Sequence, residues 1–211
     1  MRLLGLLFAC LGIVHAGEVD TQPLSAWLER QTSIKSIQTD FTQERTLPAL
    51  KKPVTSPGTM TMVRGGGMRW DLGEPLKTTA ISDGETLQFI DHEKKQARSI
   101  PADSSRARSF TLLGDSALSG GLEGFTKVFE LVESRVTDGI YQLTARPKQR
   151  AMRDKVSWVY FDIDTRKNEL RAMAMQLDDK SRIRTVFQNP RFNVQVPKNH
   201  FEIDLSGYKV R

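Results

Sequence analysis

From about Ile37 onward, apolar and polar residues alternate with period two, and turn-forming pairs interrupt the alternation at short intervals. "SIQTDFTQERTL", "GTMTMV", "GMRWDL", "KTTAIS" and "ETLQFID" succeed one another. Pro-Gly, Gly-Gly, Gly-Glu-Pro and Asp-Gly stand between them. A second series, "FELVESRV", "IYQLTAR", "VSWVYFDID", "ELRAMAMQLD", "SRIRTVFQNP" and "HFEIDL", follows after about Glu130. Such a pattern suits half-buried antiparallel strands joined by tight turns, and it predicts one long meander. A sheet of that length must curl, and its concave side must be filled or closed.

Two stretches depart from period two. "PLSAWLERQTSI" spaces Leu24, Trp27, Leu28 and Ile34 at helical intervals, which predicts an amphipathic N-terminal helix. Between about Ser104 and Glu130, Phe110, Leu113 and Ala117, then Leu122, Phe125 and Phe129, recur at helical spacing around Gly120-Gly121. We read two short apolar-faced helices there. Interior glycines cost a helix roughly 1 kcal/mol each relative to alanine, so this insertion resembles a cover that can lift. The predicted fold is α+β: an unclosed antiparallel β-barrel, or half-barrel, with an N-terminal helix and a central helical lid.

The first residues predict export. "MRLLGLLFACLGIVHAG" has a charge at Arg2, an apolar run from Leu3 to Val14 and small residues before a cleavage point after Ala16. Residues 1–16 are expected to be a signal peptide and 17–211 one domain. Cys10, the chain's one cysteine, follows "LFA" in a weak echo of a lipid-attachment box. Cleavage after Ala16 leaves no thiol, so burial alone must hold the fold. Removing Arg2 from the formal net charge of +6 leaves +5. In an exported chain this charge suits anionic head groups or acidic partners better than nucleic acid. "ARPKQRAMRDK" (145–155), the densest basic stretch, lacks interleaved aromatics and reads either as a solvated hairpin tip or as a docking patch.

Catalytic and metal signals are sparse. His92 and His200 stand outside any zinc-type spacing, and no nucleophile elbow, phosphate loop or dinucleotide fingerprint occurs. "DIDTRKNEL" begins like a calcium loop but has Lys167 and Met173 where glycine and glutamate are required, so it reads as a hairpin turn. No enzyme activity, cofactor or metal is expected.

The apolar faces say more. In regular strands Met60, Met62, Met68, Trp70 and Leu72 share one face. Leu87 with Phe89, Met173 with Met175 and Leu177, and Ile183 with Phe187 make similar rows. Methionine is flexible and polarisable, which suits either a packed core or a surface that adapts to varied apolar guests. Arg64 continues the parity of Met60 and Met62. Either it points inward and needs acceptors, for which carbonyls of the helical insertion are candidates, or Gly65 to Gly67 shift the register and turn it to solvent.

These residues resemble a known family. "SIQTDFTQ", "SPGTMTMVRGGGMRWD", Glu74-Pro75, "ISDGETLQFIDHEKKQA" and a terminal "HFEIDL..GYKV" hold the order and spacing of the periplasmic lipoprotein carriers of the LolA family over nearly the whole chain. The resemblance implies a half-barrel whose cavity receives acyl chains. It places the family's gating arginine at Arg64 and its cavity aromatic pair at Met68 and Trp70. Glycine at 65 replaces the usual proline, and in and just after the strand "LQFID" Gln88 and His92 stand where bulkier residues are usual.

The expected function is a periplasmic carrier that shuttles acylated lipoproteins or other lipid-linked cargo from inner to outer membrane. An inner-membrane exporter would be its donor and an outer-membrane protein its acceptor. It is expected to act as a monomer and to bind no nucleic acid. The lipid-binding residues would be Met60, Met62, Met68, Trp70, Leu87, Phe89, Phe110, Leu113, Leu118, Phe125, Phe129, Met173 and Met175. Two other classes remain open: a periplasmic lipid-sensing or regulatory module of the same fold, and a hydrolase, for which the sequence places no acid-base pair.

Overall fold

The computed structural model describes residues 19–101, 104 and 120–211. Its frame is a twelve-stranded sheet in the order β12-β6-β5-β4-β3-β2-β1-β11-β10-β9-β8-β7. The strands are β1 (Ser36–Thr46), β2 (Val54–Val63), β3 (Met68–Leu72), β4 (Thr78–Ser82), β5 (Thr86–Asp91), β6 (Gln96–Pro101), β7 (Phe129–Thr137), β8 (Ile140–Pro147), β9 (Val156–Asp164), β10 (Glu169–Leu177), β11 (Arg182–Phe192) and β12 (Lys209–Val210). Two meanders, β1 to β6 and β7 to β11, join where β1 pairs antiparallel with β11. The outermost strands, β12 and β7, do not pair with each other, so the barrel is unclosed. The half-barrel with helices expected from the alternation is what these strands build.

Helix α1 (Gln22–Thr32) carries Pro23 in its first turn, where the missing N–H costs nothing. Its Leu24, Trp27 and Leu28 recur at i, i+3 and i+4 and are at most 2% exposed. They pack on the inner faces of β8 and β9 with Tyr141, Leu143, Ala145, Val159, Phe161 and Ile163. Helix α2 (Gly121–Val128) is the second half of the expected insertion, and it closes the same core with Phe125, joined by Phe129 at the start of β7. The first half, with Phe110, Leu113 and Leu118, lies outside the described residues.

Three local readings change. Pro57-Gly58, expected as a turn, lies inside β2, where Pro57 pairs with Thr42 and Gly58 with Phe41. "HFEIDL", expected as a strand, is a 3-10 turn at Lys198–Phe201 and then an unpaired extended segment. Its alternation comes from one-sided packing: Phe201, Ile203, Leu205 and Tyr208 cover Ile81, Ile90 and Ala97 on the outer face of β4–β6. The chain then adds β12 parallel to β6. The basic stretch is more than a solvated tip, since it folds as the short helix α3 (Arg150–Arg153) with Met152 only 5% exposed in the core. "DIDTRKNEL" is the β9–β10 hairpin turn, with Asp164 accepting from the backbone N–H groups of Arg166 and Lys167.

Candidate functional site

Cross-strand pairing converts the apolar parity of each strand into rows on the inner face. Ile37, Met62, Met68, Ser82, Leu87 and Ile100 form one row from β1 to β6. Thr39, Met60, Trp70, Ala80 and Phe89 form the next. Met60, Met62, Met68, Trp70 and Phe89 are half-buried, whereas Leu87 is fully buried. This is an apolar floor with solvent-accessible side chains, unlike the sealed core under α1 and α2.

A third row, Phe187, Phe41, Gly58 and Leu72, crosses the sheet beside that floor. The Phe41 ring lies 4.2 Å from Trp70, centroid to centroid, and Trp70 meets Phe187 edge-on at 6.4 Å. Phe41 and Phe187 are 2% and 7% exposed. Gly58 makes room for this cluster. A Cβ there would overlap the end of the Phe41 ring and stand 2.5 Å from the Asp71 carbonyl oxygen.

The aromatic row divides the five strand methionines. Met173 sits beyond it, in a row with Phe161, Thr185, Gln43 and Ser56, and Met175 follows, in a row with Val159, Ile183, Arg45 and Val54. Both pack against the closed core. Phe125 and Phe129 are fully buried there and form a triangle with Phe161, with centroid distances of 4.9, 5.3 and 5.6 Å. The expected site residues thus fall into two places. Met60, Met62, Met68, Trp70, Leu87 and Phe89 share the floor, while Phe125, Phe129, Met173 and Met175 belong to the helix-covered half.

Arg64 stands in the β2–β3 turn and is half-buried. Its Nε donates to the carbonyl of Ile34 at 3.0 Å and its Nη2 to the carbonyl of Gln31. Gln31 lies in the last turn of α1, and Ile34 lies two residues past its end. The last turn of a helix carries the negative end of its dipole, so a guanidinium suits the Gln31 carbonyl well. Among the described residues, Arg64 thus bonds to the last turn of α1 and to the connection that follows it, while the insertion carbonyls of residues 105–119 lie outside the described residues. The turn that carries it needs glycine at 67, where a Cβ would meet the Phe201 ring at 2.6 Å.

A polar chain backs the floor on the outer face. Arg69 pairs with Asp71 at 2.7 Å and donates to the His200 carbonyl at 3.2 Å. Thr79 donates to Asp71 at 2.6 Å and contacts His92 Nε2 at 2.9 Å, while His92 Nδ1 meets the Tyr208 hydroxyl at 2.8 Å. The His200 ring is held toward its neutral form, first by desolvation and then by the Arg69 charge, with Asp71 opposing. Its Nε2 is buried without a hydrogen-bond partner among the described residues.

Nothing in this arrangement resembles a reaction centre among the described residues. It is an apolar floor beside a helix whose C-terminal end is tied down by arginine. Residues 32–204 match the family described as "Outer membrane lipoprotein carrier protein LolA". The chain belongs to this family. Membership puts it among binding and carrier proteins, not enzymes. An outer-membrane lipoprotein carrier protein from Dechloromonas aromatica (strain RCB) is 29% identical over 142 residues, 67% of this chain and 64% of that protein's length. One from Pseudomonas fluorescens (strain Pf0-1) is 25% identical over 97% of this chain and 96% of its own. In fold, the chain is similar to the crystal structure of an uncharacterized conserved protein from Thermus thermophilus. The TM-score is 0.54 at 7% identity, covering 90% of this chain and 99% of that one.

Within the LolA frame, sequence reasoning passed over Phe41 of the aromatic row. Phe41 sits in the quoted "FTQ", and period two puts it on the inner face of its strand, but only the β1–β11 pairing sets it against Phe187. Arg30 was also missed, because its partners lie on a distant turn.

Proposed function

We propose that this LolA-family chain carries acylated lipoproteins or related lipid-linked cargo across the periplasm, from an inner-membrane exporter to an outer-membrane acceptor. The observation that supports the reading is the half-buried methionine and tryptophan floor beside a helix end held by Arg64. An acyl chain of about sixteen carbons gains on the order of 12 kcal/mol when buried, at about 0.8 kcal/mol per methylene. Affinity of that size, uncorrected, would make release slow. A protein whose own helices compete for the same surface lowers the apparent affinity by the free energy of opening, which lets an acceptor take the cargo. Met60, Met62, Met68, Trp70, Leu87 and Phe89 receive the chain. Phe125, Phe129, Met173 and Met175, in the helix-covered half, become accessible as the helices move, and the sequence pattern alone adds Phe110, Leu113 and Leu118 to the proposed lipid-binding set.

Purification from the periplasm followed by mass spectrometry of bound lipid tests the reading. Acylated protein or lipid in stoichiometric amounts is expected, and a chain that binds no lipid overturns it. Arg64→Leu is expected to load normally and to hand off cargo at least tenfold more slowly, at unchanged fold. Normal hand-off removes Arg64 from the mechanism. Retention of lipid by the unmodified chain, with no transfer to acceptor membranes, favours a sensing module instead.

A further inference from the structure

Helix α1 is gripped from both walls of the half-barrel at the same turn. From one wall, Arg64 reaches the carbonyls of Gln31 and Ile34. From α1 itself, Arg30 reaches the opposite wall, the β9–β10 turn. Its Nη1 donates to the carbonyls of Lys167 at 2.5 Å and Asn168 at 3.2 Å, and to Glu169 Oε1 at 3.0 Å. Its guanidinium also lies 4.6 Å from the centroid of the Phe192 ring on β11.

The two grips differ in kind. Both guanidiniums donate charge-assisted bonds to carbonyls, and the Arg30 grip adds a carboxylate, Glu169, and an aromatic face, Phe192, to its backbone acceptors. Leu24, Trp27 and Leu28 are sealed into the core on the Arg30 side. The described acceptors of Arg64 are carbonyls, on the side where the floor is half-buried.

We infer that Arg30 is a positioning residue that fastens α1 to the β7–β11 wall, so that the half-barrel opens on one side only. The β2–β3 turn parts from α1, and α1 stays with β9 and β10. This rests on the carrier reading and specifies where the guest enters: between α1 and the floor of Met60, Met62 and Met68. A glutamate or ring at the far end of an arginine is ordinary stabilisation. What makes this one directional is its place one residue before Gln31, which Arg64 grips from the other wall.

The test uses spin-label pairs at exposed positions in a background without Cys10. Glu29 with Glu85 spans α1 and the floor wall, and Glu29 with Arg166 spans α1 and the β9–β10 turn. The probe is a synthetic tripalmitoyl-cysteinyl peptide, whose binding is measured separately by tryptophan fluorescence. On binding, the first distance is expected to lengthen and broaden while the second stays fixed. Arg30→Gln is expected to broaden the second distance and weaken probe binding severalfold, with Arg30→Lys restoring part of both through Glu169. Binding with the second distance lengthening, or no effect of Arg30→Gln on either distance, overturns the inference and leaves the carrier reading standing. Absence of probe binding overturns both.

Discussion

Gly58→Ala puts a methyl group against the Phe41 ring and the Asp71 carbonyl oxygen, and neither has room to move without disturbing Trp70. Overpacking of this kind costs about 1–3 kcal/mol. A urea-unfolding midpoint lowered accordingly is expected, and an unchanged one would mean that the ring swings aside freely. His200 gives the second residue-scale expectation. Its folded pKa lies below the ordinary histidine value, so below about pH 6.5 the unfolded chain binds more protons than the folded one. Stability is therefore full above that pH and falls as the pH drops through the lowered value. Thermal unfolding from pH 7.5 to 5.5 should show this loss, and His200→Leu should abolish it. Loss of the same size in the variant would assign the effect to other groups.

At the scale of elements, the C-terminal segment behaves as a strap over the outer face of β4–β6. Tyr208→Phe removes the hydroxyl that meets His92 Nδ1, and a cost of about 1 kcal/mol is expected, measured as a shift in unfolding midpoint. Hydrogen exchange at β6 should quicken while α1 is unaffected; equal changes at both would contradict the separation of the two cores. The strap also marks where sequence reasoning stops. Helix α1 was legible because Leu24, Trp27 and Leu28 repeat at helical spacing. The floor was legible because Met60, Met62, Met68 and Trp70 hold period two through a short hairpin. "HFEIDL" carries the same period without a partner strand, since packing on a sheet and pairing into one leave the same alternation. Pro57-Gly58 misled for a related reason. Its meaning depends on the Phe41 ring, which belongs to another strand.

For the whole molecule, the decisive contact is the least local. Ile37 pairs with Phe192 and Phe41 with Phe187, and until β1 meets β11 the two meanders share no ladder. No sequence window contains both partners, which is why Met173 and Met175 were grouped with the other methionines although the Phe41–Phe187 row separates them. All-β domains that must also close a distant ladder of this kind fold on the millisecond to second scale. Stopped-flow refolding should fall there, and microsecond folding would contradict the topology. The methionine floor has a further consequence under the carrier reading, which puts the protein outside the reducing cytosol. Met60, Met62 and Met68 are half-buried, and peroxide converts a thioether to a sulfoxide, replacing a greasy atom with a strong dipole. Oxidative damage there would disable loading while leaving the rest of the molecule folded, and enzymatic repair of the sulfoxides would restore it.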